Sequence, residues 1–161
     1  MSKPMIALSL ALLLALPAAA AEPATAEGQK VQDTIAKFNV DLQALETEAV
    51  SKAISLSADE ATAFWPVFKR YQADQRQIND AQIAAVAQYA DNYLALTDEQ
   101  AVAYVDALLA RDQSIHDLRS RYLGEFTKVI GQKRAARVIH LCRKLGFASQ
   151  ASLAEAIPLI R

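Results

Sequence analysis

The residue types that most often do chemistry are few in this chain, and their spacing works against them. The only histidines are His116 and His140, and they fall in different helical stretches. The single cysteine, Cys142, follows His140 by two positions, so on a helix the two side chains point to nearly opposite sides. No His-x3-His or Cys-x2-Cys spacing occurs, and a metal site would have to recruit carboxylates from elsewhere. No serine is flanked by the glycines of a nucleophile elbow, and no Gly-rich loop could cradle a phosphate. The paired acids Asp59-Glu60 and Asp98-Glu99 stand where helices begin, where the helix dipole accounts for them. The expectation is therefore no catalytic residue, no metal site and no cofactor: the chain is read as a non-enzyme.

What remains for contact with a partner is an aromatic group and a basic run. Phe64, Trp65, Phe68 and Tyr71 recur at helical spacing, which suits a core. The alternative is a partly exposed apolar concavity beside Pro66 that binds apolar segments of other chains. Lys133, Arg134, Arg137, Arg143 and Lys144 suit a solvated face, or a surface for acidic lipid headgroups or acidic clients. The expected partner-binding residues are Phe64, Trp65, Phe68 and Tyr71 for apolar contact, with Arg134, Arg137 and Arg143 for charged contact.

The elements that must position these residues are helices. Glycine occurs only 4 times in 161 residues, and no Val/Ile/Thr alternation marks a strand. Two helix starts are written in the same way, forty positions apart. Ser57 and Glu60 form an S-x-x-E capping box, and Thr97 and Gln100 its T-x-x-Q counterpart. Leu56 and Leu96 precede the caps, placed to staple onto Ala61 and Ala101. From the first start, Phe64, Trp65, Phe68, Tyr71, Gln75, Ile78, Gln82, Val86, Tyr89 and Tyr93 keep helical period to about Tyr93. Pro66 lies past the first turn and is expected to bend that helix without ending it. From the second start, Ala101, Val105, Leu108, Ile115, Leu118, Tyr122 and Phe126 mark a helix up to a break near Ile130-Gly131. A basic helix follows from about Gln132, with Val138, Leu141, Cys142 and Leu145 on its apolar side; Gly146 is a point where it could divide, and Pro158 stops it. Before all of these, Val31, Ile35, Phe38, Leu42, Leu45 and Ala49 form an a/d seam in a helix from about Gln29 to Ile54. The predicted fold is all-α, about four helices with a long central helical hairpin.

The N-terminus reads as an export signal. Lys3, the apolar run Ile6 to Leu16, Pro17 and the small residues Ala19 to Ala21 fit a signal peptide over 1–21, cut near Ala21. A flexible leader over 22–28 and a single helical domain over 29–161 follow, long enough to bury a core without disulfides. The expected localisation is periplasmic. Cys142 lies in the apolar stretch "RVIHLCRKL", which points to a buried thiol. The net charge of −1 conceals a split: Glu22 to Leu118 carries 7 basic and 16 acidic residues, Arg119 to Arg161 carries 9 basic and 2 acidic. The halves attract one another, within one chain or across a dimer. The basic segment carries no nucleic-acid motif, so nucleic acid is not expected as a partner.

The doubled L-[ST]-x-x-[QE] signature, Leu56 to Glu60 and Leu96 to Gln100, resembles the Spy/CpxP family of periplasmic proteins, whose helix starts carry LTxxQ repeats. The stretches "FWPVFKRY" and "LGEFTKVI" are also similar to a group of exported bacterial proteins, and the resemblance spans about 56 to 145. It implies a helical cradle, commonly a dimer, that holds unfolding envelope proteins or a stress-sensor partner without ATP. A related branch senses metals such as zinc, nickel or cobalt through histidine-rich stretches that this chain lacks. The alternatives are a structural or regulatory envelope protein docking one dedicated partner and, behind that, a metal sensor. Peripheral membrane contact is a further expectation for the basic face.

Overall fold

The computed structural model describes residues 42–160, and these are helical almost throughout. The expected signal peptide over 1–21, the expected leader over 22–28 and the Val31, Ile35 and Phe38 part of the expected first seam lie outside the described residues. Four helices follow one another: α1 over residues 42–53, α2 Ala58–Asn92, α3 Asp98–Ile130 and α4 Gln132–Ala156. A single 3-10 turn, Tyr93–Ala95, joins α2 to α3, and no strand occurs among the described residues.

Local chemistry sets where the helices begin and end. Ser57 Oγ accepts from the Glu60 amide at 3.2 Å while Glu60 Oε2 accepts from the Ser57 amide at 3.0 Å. Thr97 and Gln100 make the same reciprocal pair at 3.3 and 3.0 Å. Each box satisfies amide donors that a helix start leaves without intrahelical partners. Gly131, at φ 77°, separates α3 from α4 in a backbone conformation costly for any residue with a Cβ. α2 continues unbroken past Pro66, and α4 continues past Gly146, so Gly146 does not divide the helix as it could have done.

At 35 and 33 residues, α2 and α3 are each about 50 Å long. They pack antiparallel, as ring pairs at both ends show: Tyr71 with Tyr122 at 5.4 Å, and Tyr89 with Tyr104 at 4.3 Å. α4 returns along α3 and reaches α2 near its end, where the Gln82 and Gln150 amides exchange hydrogen bonds at 2.9 and 3.0 Å. α1 folds back on α2 through a matching exchange: Gln43 Nε2 donates to the Gln72 carbonyl, and Gln72 Nε2 to the Gln43 carbonyl.

The main core draws on all four helices: Val50 and Ile54, then Phe64, Val67, Phe68 and Tyr71, then Ile115 to Ile130, then Ala135, Val138 and Cys142. Two predicted apolar stripes are corrected by it. Leu45, assigned to the seam, is 50% exposed, because α1 turns Leu42, Glu46 and Val50 inward at four-residue steps. Val105, assigned to the buried side of α3, is exposed, because no residue of α3 before Ile115 is buried. The buried side of α2 runs through Gln75, Asn79 and Gln82, with Ile78 only half-buried. Polar residues occupy this stretch because the amides have partners across the interface.

Candidate functional site

The aromatic group is the middle of the core. Phe64, Phe68 and Tyr71 are fully buried, interleaved with Phe126 at ring distances of 5.3 to 6.2 Å. They offer no accessible face to a partner in this fold. Trp65 alone of the four is half-buried, set edge-on to Phe64 and Phe68.

Arg134 and Arg137 are tied into the protein. Arg134 Nη1 donates to the Ser55 carbonyl and to Glu60 Oε2, each at 2.9 Å, and its Nε donates to the Ile130 carbonyl at 2.8 Å. Arg137 Nη1 donates to the Ala53 carbonyl at 3.0 Å. Two cations thus satisfy carbonyls where α1 ends, as basic side chains do at helix C-termini. Glu60 serves both its capping box and Arg134, whose guanidinium, with the Ser57 amide, brings its carboxyl down to about 2. Arg143 is exposed and lies 4.6 Å over the Phe147 ring. Of the capping leucines, Leu56 packs on the core, and Leu96 lines a small cleft with Tyr89, Tyr104 and Gln100.

A buried polar group beneath α1 was not legible from residue spacing. Glu46 is wholly buried; its Oε1 accepts from Gln75 Nε2 at 2.9 Å, while Oε2 has no partner. Gln75 Nε2 also reaches the Tyr71 hydroxyl at 3.2 Å. Burial pushes the Glu46 carboxyl up to about 7, against the pull of Gln75, Gln72 and Arg119. The same burial raises Tyr71, and it raises the Cys142 thiol beside them. These groups are sealed from solvent, so what they govern is stability and not turnover.

Two solvent-facing features remain. Val102, Val105 and Leu109 follow one another at steps of three and four on α3 and stand in water, Val102 at 61% and Leu109 at 63% exposure. Further along, α3 and α4 enclose a groove with Leu123, Ile139 and Phe147 among its apolar walls and Arg111, Arg119 and Arg143 among its polar ones. His116 opens on this groove and His140 is exposed on α4; among the described residues no three His, Cys, Asp or Glu side chains gather to hold a metal. No helix among them is long and apolar enough to cross a membrane.

Against protein-family models, curated proteins and solved structures, the chain finds no match. The functional argument therefore rests on these surfaces. The exposed α3 stripe was missed because Val102 and Leu109 lie beside the Leu108 and Ala101 positions that carry the expected period. The groove was missed because its walls come from two helices that are distant in sequence.

Proposed function

We propose that this chain is a non-enzymatic, Spy/CpxP-like binding protein of the bacterial envelope, which holds exposed apolar segments of other proteins without ATP. The observation that carries the reading is the apolar stripe Val102, Val105 and Leu109, left in solvent along the part of α3 before Ile115, where no residue is fully buried. Leaving three aliphatic side chains in line on a water-facing helix costs solubility, and such patches commonly mark contact surfaces. Asp98, Glu99, Asp106 and Asp112 lie near the stripe in sequence, which favours segments where Lys or Arg accompanies apolar residues. The doubled capping box supports the family resemblance, and the compartment rests on the reading of residues 1–21 as an export signal.

In this reading the apolar contact surface is the α3 stripe, and the buried aromatics, with Trp65 packed on them, hold the frame. The test is light scattering from an unfolding model protein, with and without the chain. Suppression is expected near stoichiometric ratios and is lost in the Val102→Ser/Leu109→Ser variant, whose helical circular dichroism should not change. Equal suppression by that variant would overturn the assignment of the surface. Absence of suppression by the parent chain would favour the second reading, docking of one dedicated partner, for which crosslinking from position 109 is the direct measurement.

A further inference from the structure

α4 divides its side chains between two sides. Ala135, Val138, Cys142, Gly146 and Leu153 are buried against the other helices. Opposite them, Lys133, Arg137, His140, Lys144, Phe147 and Ala151 follow one another at alternating steps of four and three, and all six are exposed. Arg143 stands beside this line with its guanidinium 4.6 Å over the Phe147 ring, and Phe147 is 54% exposed. A single acid, Glu155, occurs in α4, near its end, against five basic residues.

Where α2 meets α3, cations find carboxylates: Arg70 with Glu125, and Arg121 with Asp74. On α4 only Arg134 does so, with Glu60. Among the described residues Lys133, Arg137, Arg143 and Lys144 form no ion pair, and the bond from Arg137 to the Ala53 carbonyl leaves its charge uncompensated. Gathered on one face, the four repel one another and build a positive potential there, which an anionic surface relieves.

The shape of the face decides between anionic partners. From Lys133 to Ala151 the line is about 27 Å long and one helix, about 10 Å, wide. That is roughly a third of the 800 Å² that one side of a stable protein interface covers. Phe147 is the only large apolar side chain on the line, too little for the apolar centre such an interface needs. A bilayer makes neither demand. Its headgroups rearrange around cations at any spacing, one aromatic ring can enter the headgroup layer, and a guanidinium over that ring reaches back to phosphate.

We propose that the outward face of α4 docks on an anionic phospholipid bilayer, with Lys133, Arg137, Arg143 and Lys144 on the phosphates and the Phe147 ring in the headgroup layer. The face lies on a different helix from the Val102–Leu109 stripe and does not depend on capture of apolar segments.

Co-sedimentation with vesicles tests this, using phosphatidylcholine alone and phosphatidylcholine with about 30% phosphatidylglycerol. The chain is used without residues 1–21, because the apolar run of the expected signal peptide would enter any bilayer; the described helices all lie beyond that cut. Binding to the anionic vesicles is expected to be about tenfold or more tighter than to the neutral ones, and to fall steeply between about 50 and 500 mM salt. Lys133→Gln/Lys144→Gln should weaken it about tenfold or more, since each cation near an anionic surface is worth about fivefold. Phe147→Ser should remove the binding that survives at high salt. Lys69→Gln/Arg76→Gln makes the same change of charge at exposed positions of α2 and should shift binding by less than about threefold. All variants should keep the parent's circular dichroism. Equal binding to both vesicles, or equal loss in the α2 and α4 double variants, would overturn the proposal. Absence of binding at low salt would overturn it as well and leave the face to an acidic protein. Val102→Ser/Leu109→Ser should bind anionic vesicles as the parent does; loss of binding there would move the contact to α3 and overturn the assignment to α4.

Discussion

Glu60 and Arg134 stand 74 positions apart, and their ion pair joins the start of α2 to the start of α4. Glu60 is at the same time the returning half of the Ser57 capping box, so one carboxylate serves a local bond and a distant one. Arg134 reaches the Ser55 and Ile130 carbonyls as well, which brings the α1–α2 link, the end of α3 and the start of α4 to one side chain. Arg134→Ala should therefore lower Tm clearly more than Arg143→Ala, whose guanidinium lies against one ring at the surface. Equal melting temperatures would show that the pair contributes nothing to holding the four helices together.

The same pair has a sign in pH. Arg134 and the Ser57 amide lower Glu60 from its ordinary 4.5 to about 2, so the folded state binds the ionised form more tightly. That contribution is present above about pH 4.5 and is lost as pH falls towards 2. Urea titrations from pH 5 to 2 should show a smaller loss of stability in Glu60→Gln than in the parent. Identical slopes would show that Glu60 is not a source of the acid sensitivity.

At the second box no long-range partner intervenes, so Thr97 and Gln100 measure capping alone. Replacing both with Ala removes the two reciprocal bonds and should cost about 1–2 kcal/mol. Thermal denaturation reads this directly. An unchanged Tm would mean that the α2–α3 turn is fixed by the Tyr89–Tyr104 stack, with its centroids 4.3 Å apart, and not by its caps.

How much of this was legible depended on how local each cause is. Ser57, Thr97 and Gly131 act within four residues of themselves, so the starts and stops of α2, α3 and α4 could be read from them. Which side of α1 turns inward is decided by Gln75 and Cys142, more than twenty-five positions away. Leu45 looked like core for that reason, and nothing nearby marked Glu46 as buried. The period of α3 was right from Ile115 onward, where α4 lies against it. Before Ile115 no residue of α3 is fully buried, and Val105 remains in water. Neither the α3 stripe nor the α3–α4 groove is a motif: each follows from where neighbouring helices stop or meet.

Cys142 is buried, and that burial raises its thiol well above the ordinary range, which removes the thiolate that alkylating reagents need. Native protein should react with a maleimide far more slowly than protein in urea. Labelling at similar rates in both would show that α4 opens readily from the core.

Glu46 carries the opposite sign to Glu60. Desolvation beneath α1 raises its carboxyl from 4.5 to about 7, so the folded state favours the neutral acid. The favourable state is complete below about pH 4.5, fades as pH rises through 7, and above that leaves a cost on the order of 3 kcal/mol. The groups around it are Gln75 and Tyr71 from α2, Arg119 from α3 and Cys142 from α4. Arg119 is the only cation among them, and its attraction does not outweigh the loss of water. Glu46→Gln keeps an oxygen to accept from Gln75 and removes the titration. It should raise stability at pH 8 by about 1–3 kcal/mol and flatten the decline between pH 5 and 8. Urea unfolding of both proteins across that range decides the matter. A variant less stable than the parent at pH 8 would mean that the ionised carboxylate is held by Arg119 after all, and that α1 is anchored by a buried ion pair.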